Sequence, residues 1–224
     1  TSTLSVFRFR QTRSATVPKE VFGTRKLPGV LVVDRYKGYN RVPCATEYCY
    51  SHLLREVKDL AKEFPEDPEV HAFTQTFAPL LAKAIRLRGQ SISDAVFARR
   101  ARRLKARIRK VTQASARHPG IQRLQAIWRE HPNRLYHWAA DRAVPADNNL
   151  AERDLGPLVI ARKVSFGSQS LAGANTRETL MTVLWTLRKR FPEDYEERFK
   201  RALDQLAEEP TGSVYRALFE TRAP

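Results

Sequence analysis

Phe97, Ala101, Leu104, Ile108 and Val111 recur at spacings of four, three, four and three, a rhythm that fits a helix with one buried stripe. The residues between them are dominated by Arg99, Arg100, Arg102, Arg103, Arg107 and Arg109. These arginines cannot all face a core, so the helix must present positive charge outward. Helical patterning extends over residues 70 to 140 without a strand signal, and a hairpin of two long helices turning near "ARHPGIQ" is expected there. Between Lys83 and Arg134, 15 Lys and Arg stand against Asp94 and Glu130, so most of the net charge of +16 lies in this block.

Such a charge points to a polyanionic partner, nucleic acid first, because neutralising phosphates releases counterions. A membrane-surface protein would carry one basic amphipathic helix, whereas here basic residues are spread through several segments. No run approaches the ~18–20 apolar residues of a membrane helix. A length of 224 residues with 42% hydrophobic residues supports one sizeable domain or two small ones. Cys44 and Cys49 are the only cysteines and the start is no secretory signal, which fits a reducing cytosolic setting. With His52 they form C-x4-C-x2-H, but a structural zinc site needs four ligands and no second pair is near in sequence.

Upstream, Leu4 to Phe9 reads as a strand, followed by a polar turn and a short helix ending at Gly23. After the Pro28-Gly29 turn, Val30 to Val33 is a continuous apolar run expected for a strand buried on both faces. Asp34 then falls at the strand's carboxyl end, where open α/β sheets place ligands and chemistry. A second strand, "CATEYCY", leads into a helix on which Leu53, Leu54, Val57, Leu60 and Ala61 share a face, with Ser51 as its capping candidate. Beyond the helical block come "DNNLAERDLGPLVIARK", a Gly/Ser-rich turn, an apolar helix and a charged amphipathic helix.

Glu152 admits two readings. Asn149-x-x-Glu152 has the form of a capping box, and Asp147 or Asn148 could also cap. Alternatively, Glu152 and Asp34 are two acids from distant segments that converge on a divalent-metal site for phosphoryl transfer.

The blocks "VLVVDRYKGYN", "CYSHLLREVKDL" and "VPADNNLAERDLGPLVIARKVSFGSQSLAGANTRETLMTVLWTL" resemble the transposases of bacterial insertion sequences, specifically the sixty-six family. The resemblance runs from about residue 4 to 190 and implies an α/β, ribonuclease-H-like mixed sheet with flanking helices, interrupted by a long helical insertion. It divides the chain into 1–66, the first part of the core without its N-terminal strand; 67–140, the basic insertion; 141–190, the last part of the core; and 191–224, a helical tail. Asp34 is similar to the second acid of the family's DDE triad and Glu152 to the third. The first acid is expected on an upstream strand: no Asp precedes Asp34, and the only earlier acid is Glu20. The family usually has Gly where this chain has Arg35, which could pair with Asp34 or contact a phosphate.

The resemblance further implies two Mg²⁺ (or Mn²⁺) ions, double-stranded DNA as both element ends and target, a homo-oligomer when ends are synapsed, and a bacterial cytoplasmic, nucleoid-associated location. His52, in a Cys-aromatic-x-His pattern, is expected near the active site with Asn148 and Asn149, or else makes a local hydrogen bond at a helix start. Arg162 and Lys163 match the family's Arg-Lys pair and could hold a phosphate. With Arg99, Arg100, Arg102, Arg103 and Arg107 they form the expected DNA-contacting set. Trp128, Trp138 and Trp185 are read as core residues. The alternative function is a catalytically inactive DNA-binding remnant or domesticated fragment, and a basic RNA- or ribosome-associated protein ranks below it.

Overall fold

The computed structural model describes residues 1–165 and 167–220, so the last four residues of the expected tail lie outside it. It is mostly helical, with a two-stranded parallel sheet among the described residues. The chain divides into two compact units, one of Thr12–Asn149 and one of Thr1–Gln11 with Leu150–Pro224.

In the first unit α1 (Thr16–Phe22) ends at Gly23, whose φ of 67° suits glycine. β1 (Val30–Val33) pairs in parallel with β2 (Ala45–Tyr48), from Val30 opposite Ala45 to Val33 opposite Tyr48. The apolar run does form a strand, but Val30, Leu31 and Val32 are only half-buried and Val33 alone is buried. With only two strands, the sheet leaves β1 less enclosed than the continuous apolar run implies.

β2 passes directly into α2 (Tyr50–Glu63), which buries Tyr50, Leu53, Val57 and Leu60. Ser51 is not its cap: the helix starts one residue earlier, after Cys49, with no side-chain cap bond. The "PEDPEV" break supplies a cap for α3 (Pro68–Leu87), since Asp67 accepts the N–H groups of Glu69 and Val70 at 2.9 Å each. α4 (Asp94–Gln113) buries the expected stripe at Phe97, Ala101, Leu104 and Ile108, with Thr112 completing it and Val111 half-buried.

A turn near "ARHPGIQ" is present, leading into the shorter α5 (Pro119–Glu130), and a second turn at 88–93 joins α3 to α4. The expected pair of long helices is therefore three helices, because both turns are fixed by side chains. Glu69 accepts Arg117 N–H at 2.7 Å and His118 N–H at 3.0 Å. Arg142 donates to the carbonyls of Ile92 at 2.8 Å and Gln90 at 2.7 Å and to Asp94 at 2.8 Å. A Cβ on Gly120 would sit 2.4 Å from Leu60 Cδ1, so glycine lets α5 start against α2. After α6 (His137–Ala140), the core of this unit runs from Val33 to Ala146 and includes Trp128 and Trp138. The Tyr50 hydroxyl and Trp138 Nε1 both donate to the carbonyl of Leu135.

In the second unit, α7 (Asn149–Val164) is followed by α8 (Leu171–Arg190), α9 (Tyr195–Glu208) and α10 (Val214–Phe219), with Leu187, Ala202 and Leu218 as a small core. "LSVFRF" is not a strand. It lies along α8, where Ser5, Phe7 and Phe9 N–H donate to Thr186 Oγ1 at 3.3 Å, Thr182 Oγ1 at 3.0 Å and Glu178 Oε2 at 2.7 Å. Alternate residues of an extended chain advance about 6.6–6.8 Å and every fourth helix residue about 6 Å, so the two repeats match over these three bonds. Glu178 is also bridged by Arg8 at 2.7 Å, which compensates a carboxylate only 9% exposed. Trp185 is half-buried, edge-on to Phe7.

Ile108 is fully buried at the centre of the α4 stripe. Ile108→Ala is expected to lower unfolding stability by about 2–5 kcal/mol, measured by urea denaturation followed by circular dichroism. A loss under about 1 kcal/mol would show that the stripe is not the core of this unit.

Candidate functional site

Asp34 follows Val33 at the carboxyl end of β1, half-buried, with Oδ1 accepting Tyr36 N–H at 3.1 Å. That bond turns the chain sharply into the 3-10 segment Lys37–Arg41. A Cβ on Gly38 would lie 2.2 Å from the Tyr36 ring, so glycine lets the ring fold over the backbone. Tyr36 meets Tyr39 edge-on at 5.9 Å, and burial and then the Asp34 charge push the Tyr39 phenol up from its ordinary value. "DRYKGYN" therefore builds an aromatic wall beside the acid.

Arg35 does not pair with Asp34. Its guanidinium is bound by Glu56 on α2, and its place one residue after a carboxylate is explained by that longer reach.

Two further segments reach this strand end. Cys49 N–H donates to Val33 O at 2.8 Å, extending the parallel ladder past β2, and Tyr50 N–H donates to Ala146 O at 2.8 Å. Asn148 N–H points at Cys49 Sγ, 3.4 Å away. Burial pushes the Cys49 thiol up, while the N–H groups of Asn148, His52 and Ser51 act the other way. His52 is half-buried in the first turn of α2, next to this junction. The structure thus brings together Asp34, Cys49, Asp147 and Asn148, of which Asp147 was weighed in the sequence only as a cap.

Asn149 is the first residue of α7, with Glu152 three residues on in its first turn. Asp147, the other capping candidate, accepts Asn149 N–H at 3.1 Å and its side-chain amide at 3.0 Å. Glu152 is half-buried in the first turn of α7 and belongs to the second unit, whereas Asp34 belongs to the first. Arg162 and Lys163 are exposed in the last turn of α7, where cations complement the helix carbonyl end. Arg99, Arg100, Arg102, Arg103 and Arg107 are all exposed on α4.

Two oxygen donors of the kind a divalent cation takes are present, the Asp34 carboxylate and the buried Oδ1 of Asn148, which has no hydrogen-bond partner among the described residues. No group of three His, Cys, Asp or Glu able to hold a metal occurs among the described residues.

One group escaped sequence reasoning. Glu47 on β2 is fully buried; Oε2 accepts His137 N–H at 2.7 Å and Oε1 has no partner among the described residues. Burial pushes its carboxyl up to about 8, against the His137 and Trp138 N–H groups and Lys105. Its only sequence signal was an acid in an otherwise strand-like run.

The described residues thus set a parallel strand pair, with an acid at the carboxyl end of its first strand, on a basic helical block, and the comparison with known families is specific. Residues 1–176 match the Transposase IS66 family, and the chain belongs to that family. It is 24% identical to Uncharacterized protein y4jD of Sinorhizobium fredii (strain NBRC 101917 / NGR234), over 79% of this chain and 37% of that protein. The chain therefore spans well under half the length of this relative. No solved structure matches it.

The raised Glu47 carboxyl predicts a pH dependence. The folded chain holds this proton up to about pH 8 while the unfolded chain releases it near 4.5, so between those values the native state binds more protons and stability falls as pH rises. The slope is at most about 1.4 kcal/mol per pH unit. Glu47→Gln is expected to flatten that decline in denaturation midpoints measured from pH 5 to 8. An unchanged slope would mean that other groups set it.

Proposed function

We propose that this chain carries the catalytic part of a DNA transposase that cleaves phosphodiesters at element ends and joins them to target DNA, with Asp34 and Glu152 as its carboxylates. The single observation that carries this is Asp34 at the carboxyl end of parallel β1, in a chain of a transposase family. Residues 1–66 and 141–190 are read as two parts of a ribonuclease-H-like core, 67–140 as its helical insertion and 191–224 as a tail.

Asp34 and Glu152 would hold Mg²⁺ or Mn²⁺, with the amide oxygen of Asn148 as a further donor. When bound, a pair of such ions stabilises the attacking and leaving oxygens of an in-line displacement. Glu56 engages the Arg35 guanidinium, so that its charge would not compete with a cation for Asp34, and Tyr36 and Tyr39 meet edge-on next to the acid. Arg162, Lys163 and the exposed arginines of α4 contact double-stranded DNA through phosphates, which positions the duplex without reading its sequence. Synapsis of two ends requires at least two copies, acting on the nucleoid in the bacterial cytoplasm. No helix among the described residues is long and apolar enough to cross a membrane.

The test is calorimetric titration of Mn²⁺ into the chain, Asp34→Ala and Glu152→Ala at one salt concentration. Binding by the wild-type chain that is lost in both variants supports a shared site. Absent binding, or equal binding by all three, would reject the metal-site assignment and leave a DNA-binding remnant as the better description.

A further inference from the structure

α4, α5 and the segment from Pro132 to Tyr136 enclose a groove of about 1000 Å³. Lys105, Arg109 and Arg129 line it, and no Asp or Glu does so among the described residues. Lys105 and Arg109 lie one turn apart on α4, on the same side. The Lys105 ammonium sits 4.9 Å from the centre of the Tyr136 ring. Arg129 is fixed by bonds to Thr112 O at 3.3 Å and to Gln125 Oε1.

The features that would ordinarily cancel this charge are neutralised. The carbonyl end of α4 would repel an anion, but Gln125 Nε2 donates to Val111 O at 3.0 Å and Ala114 O at 3.1 Å, while Arg129 covers Thr112 O. The acid that interacts with Lys105, Glu47, has its carboxyl pushed up to about 8 by burial and so stays largely protonated at neutral pH. Burial pushes Tyr136 up to about 12, which keeps its hydroxyl a neutral donor. Asn133 adds an amide at the rim.

We propose that this groove is a phosphate-binding site that grips the phosphodiester backbone of duplex DNA, and that the α4 arginines outside it, such as Arg99 and Arg103, add only weaker contacts. The site rests on the DNA-binding part of the proposed function and adds Lys105 and Arg129 to it, with Arg109, an exposed arginine of α4, on the same wall. Lys105 and Arg129, already held by Tyr136, Thr112 and Gln125, lose little side-chain freedom on binding and stand beside Arg109 on the groove wall, whereas exposed arginines outside the groove such as Arg99 and Arg103 must be ordered first.

The test is fluorescence anisotropy of a labelled duplex at several salt concentrations, with circular dichroism to verify folding. Lys105→Gln with Arg109→Gln is expected to weaken binding at least about tenfold and to reduce the salt slope by about two, as for two lost phosphate contacts. The charge-preserving pair Lys105→Arg with Arg109→Lys should bind like wild type, which separates loss of charge from loss of fold. Arg99→Gln with Arg103→Gln should weaken binding less than about threefold, since each exposed cation contributes little. An unchanged groove variant, or equal losses from the two neutralised pairs, overturns the groove while leaving DNA binding intact. No salt-dependent binding by the wild-type chain overturns the DNA reading and the groove with it.

Discussion

Two backbone hydrogen bonds hold the geometry on which the site depends: Cys49 N–H to Val33 O and Tyr50 N–H to Ala146 O. The first carries the parallel ladder one residue past β2, so that α2 starts beside the residue after β1. The second binds the segment leading into α7 to the same point. A two-stranded ladder of four-residue strands is marginal alone. What pins it is the next helix, because Tyr50, Leu53 and Val57 are fully buried among the aromatic rings and helices of the 67–140 block. The helical block is therefore the foundation of the strand end that presents Asp34, and any change that loosens α2 would be felt at that acid.

Legibility in the sequence followed the range of the interactions involved. The α4 stripe, β1, β2 and the place of Asp34 were readable because they depend on periodicity and local turn chemistry. Leu4 to Phe9 misled because its alternation satisfies any partner that accepts every second N–H, and here the partner is the side-chain row of α8. Ser51 looked like a cap, yet α2 begins at Tyr50, and near α7 Asp147 accepts the N–H of Asn149. Glu47 was invisible for a different reason: its burial is decided by α6 docking 90 residues further along the chain. Long-range contacts of that kind leave no trace in local pattern.

The placement of the acids decides where positive charge is available. Glu56 holds Arg35, Glu178 holds Arg8 and Arg10, Asp154 holds Lys189 and Asp94 holds Arg142. Each of these acids fixes a loop, a terminal segment or a helix junction, so its cation is committed to the fold. On α4 only Asp94, at the first turn, is acidic, and it is spent on Arg142. The arginines beyond it have no acid on their own helix, and the +16 excess becomes a local field on that side of the 67–140 block.

That field costs stability through self-repulsion, and a helix carrying it needs compensating burial. Phe97, Ala101, Leu104 and Ile108 supply this on the opposite face, each under 9% exposed. Arg142 strengthens the N-terminal turn by lying over the Phe97 ring at 5.3 Å while bonding to Asp94, and Lys105 spreads its charge over Tyr136 in the same way. A fold under selection for stability alone would gain by replacing several of these arginines with glutamate at i+4 spacing. With no acid beyond Asp94 on their own helix, these arginines leave α4 with a positive outer face, and the buried stripe on the opposite face must offset its self-repulsion.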